Sequence, residues 1–364
     1  MNKPTVQDIF LRFYPAYLEK YSPSAEQAKV SRNIMNCKTG AYGANVSVCE
    51  DCGAVQIHYN SCRNRCCPMC QAVPKEMWMD ARREDVLDAP YFHLVFTVPD
   101  ILNPIIYNNQ KLLYDTLYHA ASATISELTA DPKHLGADVG YICILHTWGS
   151  EMNFHPHIHT ILLGGGLTSK NEWKDNGTEF FLPIRAVSKS FRGKYIDELK
   201  HLWNTGQLEF HGTAEKYRNY YVFKDLLDSC YDTEWIPYCK KTFNGAGSVI
   251  DYLGKYTHRI AISNHRIICM DDENVTFSVK DYRNKGQWKE LTLSGVEFIR
   301  RFLMHVPPKR FVRIRHYGLL CSRSKHKKLT LCRNLLGYQK YLSKLRGKEM
   351  PEILKQLYEI NICV

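Results

Sequence analysis

Three histidines stand at alternate positions in His155-Pro-His-Ile-His159. On a strand, successive side chains point to opposite faces, so all three imidazoles would share one face. Side chains two residues apart are rooted about 7 Å from each other and can converge on one ion, whereas those four apart, at about 13 Å, cannot easily do so. Two are therefore the expected ligands. His157 with His159 is the preferred pair, because the bulky Ile158 between them suits a buried strand better than Pro156 does. His155, Glu151, His146 and Asp251 are candidates for a third position. Two or three protein ligands leave room for water or a phosphate oxygen, as a catalytic divalent ion requires. A lone strand histidine is usually a satisfied core or surface residue; three in alternation favour a metal.

A second pair lies downstream, in Gly245-Ala-Gly-Ser-Val-Ile-Asp-Tyr-Leu-Gly-Lys-Tyr-Thr-His-Arg259. On a helix, Tyr252 and Tyr256 at i and i+4 are neighbours on one face, about 6 Å apart at Cβ. In a chain with 23 tyrosines, packing alone readily produces such a pair.

Seven of the fourteen cysteines fall within residues 37–70. In a reducing compartment that density reads as metal binding rather than disulfides. Cys49-Glu-Asp-Cys52 and Cys67-Pro-Met-Cys70 are two C-x2-C knuckles at nearly the spacing of a four-thiolate zinc ribbon, and the expectation is one structural zinc on Cys49, Cys52, Cys67 and Cys70. Cys37, Cys62 and Cys66, with His58 nearby, could form a second site. The interleaved Arg63 and Arg65 could touch DNA or merely decorate a solvated surface.

These groups must be held by ordinary folded structure, which a content of 45% hydrophobic and 23% charged residues describes. No apolar run approaches the roughly 18 residues of a membrane span, and the first residues lack a signal-peptide pattern, so a soluble cytoplasmic protein is expected. The net charge is +11, yet residues 301–350 alone carry +13 and the remainder sums to −2. Such a concentrated basic segment most often meets nucleic acid. Two helices are expected before the cysteines, with Ile9, Phe10 and Phe13 on the apolar side of the first. Strands are expected at 91–98, 139–148 and 155–163, the last two as an antiparallel hairpin, and again at 275–282 and 311–316. Helices are expected at 109–129, 193–205, 248–258 and 293–305. The fold class is α+β, an antiparallel sheet flanked by helices. Its parts are a helical and zinc-binding segment, 1–85, a main domain, 86–320, and a basic helical tail, 321–364.

Side by side, these residues resemble the rolling-circle transposases of the IS91 type, two-tyrosine members of the HUH (His-hydrophobic-His) nucleases. The likeness covers most of the chain. Tyr59-Asn-Ser-Cys-Arg-Asn-Arg-Cys-Cys-Pro-Met-Cys-Gln71 is similar to the zinc-binding segment of that family, and Pro90-Tyr-Phe-His-Leu-Val-Phe-Thr-Val-Pro99 to its first nuclease strand. His155 to His159 resembles the HUH strand, and Tyr252-Leu-Gly-Lys-Tyr-Thr-His-Arg259 the tyrosine helix. Phe298-Ile-Arg-Arg-Phe-Leu-Met-His305, with Arg313-Ile-Arg-His-Tyr-Gly318, resembles the closing segment. Cys66 departs from the His common in relatives, and Asn45 stands where a His often lies. The resemblance implies an HUH-endonuclease-like fold and a DNA transposase that cuts and rejoins single-stranded DNA at transposon ends. Tyr252 and Tyr256 would be the nucleophiles, forming a 5′-phosphotyrosine, with Mg2+ or Mn2+ on His157 and His159. The candidates for DNA contact are Arg63, Arg65, Lys255, Arg259, Arg313, Arg315, Lys325, Lys327 and Lys328. A replication initiator or relaxase of the same superfamily, and a non-catalytic zinc-ribbon DNA-binding protein, are the alternatives.

Overall fold

Two capped helices begin the chain. In α1 (Val6–Lys20) and α2 (Ala25–Met35), Thr5 with Asp8 and Ser24 with Gln27 form capping boxes that satisfy amide groups at each helix start. The computed structural model describes residues 3–49, 52–175, 182–235, 238–241, 249–250, 254, 260–281 and 286–359. Asp251, Tyr252, Lys255, Tyr256 and Arg259 lie outside the described residues, as does most of the helix expected at 248–258.

A hairpin follows, β1 (Ala44–Val48) and β2 (Val55–Tyr59), and then α3 (Ala72–Arg83). The main sheet is built from β3 (Tyr91–Thr97), β4 (Asp138–Trp148), β5 (Phe154–Leu167), β6 (Trp173–Asp175), β7 (Tyr238–Lys241) and a late strand, β11 (Ile314–Gly318). Its order is β11-β4-β5-β3-β7, with β6 on β5 and every described pairing antiparallel. The helices α4 (Asn103–Asn108), α5 (Gln110–Ala130), α6 (Ile184–Asn204) and α7 (Tyr220–Asp232) connect the strands. A second sheet, β8 (Ile267–Met270), β9 (Asn274–Asp281) and β10 (Gln287–Ser294), precedes α8 (Gly295–Met304), while α9 (Lys325–Leu336) and α10 (Met350–Tyr358) form the tail. The α+β class with antiparallel sheets flanked by helices is as the sequence leads one to expect. Among the described residues no helix is long and apolar enough to cross a membrane.

Strand alternation gives the main sheet two unlike faces. Phe92, Leu94 and Phe96 of β3, Ile158 and Leu162 of β5, and Cys143 and Leu145 of β4 pack against Leu113 and Leu117 of α5 and Phe191 and Tyr195 of α6. The opposite face bears Ile142, Ile144 and Ile161, covered by Met79 of α3, Val249, Ile250 and Leu329 of α9. His157 and His159 are on this second face, in register with His146 and Ile144 of β4.

A separate core joins Ile9, Phe10 and Phe13 of α1 to Phe277 of β9 and Phe298 and Phe302 of α8, and also contains Cys37, Cys66 and Cys67. Burying each large side chain contributes about 1.5–3 kcal/mol, so this core runs across the boundary expected near residue 85. A methyl group on Gly295 would overlap the Phe13 ring, which is why α8 can start so close to α1. The tail likewise packs inward. Leu329 and Cys332 join the core over the histidine-bearing face, and Asp80 on α3 accepts hydrogen bonds from Tyr341 Oη (2.7 Å), Ser343 Oγ (2.5 Å) and Leu345 N (3.0 Å).

On α8, Glu297 accepts from Arg300 Nε (2.6 Å) and Arg301 Nε (2.7 Å), and Arg301 reaches the carbonyl of Glu151 in the β4–β5 turn (3.0 Å). The Arg300 hydrogen bond leads in pulling the Glu297 carboxyl down to about 2. A carboxyl depressed in the folded state contributes stability that is complete above its unfolded pKa, roughly 4.3, and is lost as pH falls through 2. Glu297→Gln should therefore cost about 1–2 kcal/mol at pH 7 after allowing for partial solvent screening. Thermal scans should show the gap to wild type closing between about pH 4 and pH 2.

Candidate metal and nuclease site

The pleat that sends Ile158 into the helix-covered core turns His157 and His159 together to the other face. Directly across from His157 on β4 is His146, and the three imidazoles can each present a nitrogen within 4.8 Å of the others. Nε2 of His157 and Nε2 of His159 are 3.1 Å apart. Their far nitrogens are held: Nδ1 of His157 lies 2.7 Å from the carbonyl oxygen of His155, and Nδ1 of His159 lies 2.9 Å from Nε2 of His93. Trp148 stacks on the His146 ring, centroids 4.4 Å apart. Burial pushes His157 and His93 down to about 4, and His159 well below its ordinary value. These imidazoles are therefore neutral near pH 7, the form that ligates metal.

Among the third-ligand candidates, His146 converges with the pair. His155 instead faces Asp100 (Nδ1 to Oδ1, 3.2 Å), as expected for a side chain four residues from His159 along an extended strand. Glu151 pairs with Lys289 at 3.1 Å, and Asp251 lies outside the described residues. His93 was not singled out from the sequence. Its signal is a polar residue inside the otherwise apolar Tyr91-Phe-His-Leu-Val-Phe96, which must find a partner when buried.

Both tyrosines expected to be nucleophiles are outside the described residues; Val249, Ile250 and Gly254, close to them in sequence, are described. Val249 and Ile250 pack beside Ile142, Ile144 and Ile161 on the histidine-bearing face. Helical Gly254 approaches α3 so closely that a methyl group there would overlap the Met79 sulfur. Gly254→Ala should destabilise the fold by about 1–3 kcal/mol. Thermal unfolding of Gly254→Ala, Met79→Ala and the double variant should be non-additive by at least about 1 kcal/mol, since the two changes share one space.

The cysteines assemble differently from the spacing argument. Sulfurs of Cys37, Cys62, Cys67 and Cys70 lie within 4.8 Å of one another, with Cys62 and Cys70 at 3.8 Å. Backbone amides of Cys62 and Asn64 point at Cys37 Sγ and Cys62 Sγ, each at 3.5 Å, as amides do around bound thiolates. The Cys62 sulfur drives the Cys67 thiol far up and the Cys70 thiol far down. Four sulfurs so close share protons unless a cation replaces them, and four protein ligands close a tetrahedral structural zinc site.

Cys49 and Cys52 lie outside this group, so the structure brings together two of the four cysteines expected from spacing, with Cys37 and Cys62. Five-residue strands carry their knuckle about 17 Å along the β1–β2 hairpin, while Lys38 N to Asn60 O (3.1 Å) joins Cys37 to Cys62 at its base. The second set divides too: Cys37 and Cys62 belong to the cluster, His58 is exposed on β2, and Cys66 is a buried thiol pushed up to about 11 by burial.

Several residues expected at DNA are already engaged within the chain. Arg313 is buried and lies over the Trp148 ring, Arg315 pairs with Asp115, Lys325 with Asp85 (2.8 Å) and Lys328 with Asp138 (2.6 Å). Arg65 donates to the carbonyl of Phe311 (2.6 Å). Sequence distance hid these acids, so part of the +13 segment is paired within the fold. Arg63 and Lys327 are exposed. A cleft of about 340 Å3 opens between Arg65, Gln71 and Lys75 on one wall and Gly254, Ser263 and His265 on the other.

Residues 9–98 match the family described as "Transposase zinc-binding domain", and residues 140–328 match the one described as "Putative transposase". Over 336 residues the chain is 41% identical to "Putative transposase y4qJ" of Sinorhizobium fredii, covering 92% of this chain and 84% of that one. The chain is an IS91-type transposase. It is also 28% identical over 344 residues to the "Transposase for insertion sequence element IS801" of Pseudomonas savastanoi pv. phaseolicola, covering 88% of this transposase and 81% of that relative. No solved structure matches it. The four-cysteine cluster falls inside the zinc-binding match, and the histidine strand inside the other.

Proposed function

We propose that this transposase acts on the ends of its element, nicking and rejoining single-stranded DNA through a tyrosine of the Tyr252/Tyr256 pair, with a divalent ion held by His157, His159 and His146. The observation that carries this reading is the convergence of buried imidazoles on the sheet face that Val249 and Ile250 also cover, with Gly254 packed against Met79 of α3. Attack of the phenolic oxygen on phosphorus would form the 5′-phosphotyrosine bond and release a 3′-hydroxyl, which takes up the phenol's proton. One phosphoester replaces another, so rejoining needs no nucleotide cofactor. Phenol, with a pKa of about 10, is mostly protonated at neutral pH. Mg2+ or Mn2+, when bound, would supply Lewis-acid polarisation of the phosphate and its leaving oxygen. His157 and His159 contribute Nε2 lone pairs held in place by their Nδ1 contacts, and the covering core limits water. Arg65, Lys75 and His265 give the neighbouring cleft a basic lining suited to a DNA backbone.

The test is incubation with single-stranded oligonucleotides from the two element ends and Mg2+ or Mn2+, scored for an SDS-resistant 5′-linked adduct. The adduct should form with wild type and disappear in Tyr252→Phe/Tyr256→Phe. An adduct that persists in the double variant overturns the assignment of the nucleophiles; no adduct from a zinc-loaded, DNA-binding wild type overturns the nuclease reading.

A further inference from the structure

His157 and His159 are oriented by different means. His157 can donate Nδ1–H to a carbonyl of its own strand, the oxygen of His155 at 2.7 Å. The corresponding nitrogen of His159 faces a side chain, Nε2 of His93 at 2.9 Å, reached diagonally from β3, where His93 stands opposite Ile161. The two rings are nearly coplanar, 8° apart, with centroids separated by 5.1 Å. That separation is too long for rings stacked face to face and fits imidazoles joined end to end, with the hydrogen bond in the plane of both.

We propose that His93 is a positioning residue for the ion site: it accepts Nδ1–H from His159 and so fixes the tautomer and ring angle that turn Nε2 of His159 toward Nε2 of His157. The inference rests on reading His157 and His159 as ion ligands. His93 is not placed to be another ligand of that ion, because it meets His159 on the side of the ring away from His157. It is buried, 5% exposed, with the Tyr238 ring edge-on at 5.7 Å, so its own orientation is restrained. A neutral imidazole has one donor and one acceptor nitrogen; if His93 donated to His159 instead, Nε2 of His159 would carry a proton and could not ligate. The partner that orients a ligating histidine typically matters 10–100-fold in metal affinity.

The experiment is Mn2+ binding to the full-length zinc-loaded protein, followed by the electron paramagnetic resonance signal of free Mn2+, an ion that thiolates bind poorly. His93→Phe should weaken binding 10–100-fold. His93→Gln, whose side-chain oxygen can accept the same hydrogen bond, should recover most of the loss. Wild type that takes up no Mn2+, or undiminished binding in His157→Ala, would overturn the underlying ligand reading. Loss in His157→Ala with full affinity in His93→Phe, or equal losses in His93→Phe and His93→Gln, would overturn the role of His93 alone. Should the buried substitutions unfold the protein, long-range proton–nitrogen spectra of Mg2+-loaded wild type still decide the matter. Nε2 of His93 is expected unprotonated, as the acceptor from Nδ1–H of His159, and finding the proton on Nε2 of His93 refutes the proposal.

Discussion

His157→Ala is expected to lower the rate of adduct formation by about two to four orders of magnitude, while His155→Ala stays within a few-fold of wild type. The contrast follows from where the strand sends each ring. His157 presents Nε2 to its neighbour at 3.1 Å, whereas the nitrogen of His155 turns toward Asp100, and the hydrogen bond His155 offers His157 comes from its backbone carbonyl, which alanine retains. Charge stabilisation by a metal at phosphorus amounts to several kcal/mol, and each 1.4 kcal/mol or so is tenfold in rate. Single-turnover adduct formation over a Mn2+ titration makes the measurement. Saturating metal should not restore the lost rate in His157→Ala, and equal damage from His155→Ala would contradict the two-histidine geometry.

The second large effect is at the cysteines. Cys62→Ser or Cys67→Ser should abolish bound zinc and lower the melting temperature by ten degrees or more, whereas Cys49→Ser/Cys52→Ser should keep the zinc held by Cys37, Cys62, Cys67 and Cys70. Zinc binding in small fingers is worth about 10–16 kcal/mol of apparent free energy, and removing one of four ligands forfeits a large part of it. Here Cys37 and Cys67 are also buried in the core that holds α1 against α8, so the damage should spread beyond the zinc loop. Metal content by atomic emission together with thermal unfolding tests the pair. Zinc lost from the Cys49/Cys52 variant and retained in Cys62→Ser would restore the ligand set suggested by spacing.

Much of this molecule was legible as pattern. The alternation around Ile158 and the short Gly149–Phe154 connection foretold a hairpin with the histidines on one face, because period and loop length are local properties. What failed were inferences that needed distance. Two C-x2-C knuckles looked like one site, yet the hairpin between them carries the first away and brings in Cys37, an isolated residue with no knuckle of its own. Lys325 and Lys328 read as free cations because Asp85 and Asp138, which pair with them, are some 240 and 190 residues away in sequence. The second sheet was half seen: β9 is marked by alternation, but β8 is four residues long and has a register shift against β9. His93 went unnoticed for the opposite reason, since a residue inside a strongly apolar strand is absorbed into the core by any pattern rule.

Helix α3 begins two residues after Cys70 and places Met79 against Gly254 about 10 Å further along its axis, with Asp80 and Glu84 gripping the tail beyond. An α-helix of this length transmits displacement as a stiff rod. The thiolate cluster is in that sense the bearing at one end of a shaft whose other end abuts the tyrosine-bearing stretch. Loosening the bearing would misalign a part about 10 Å away along the helix.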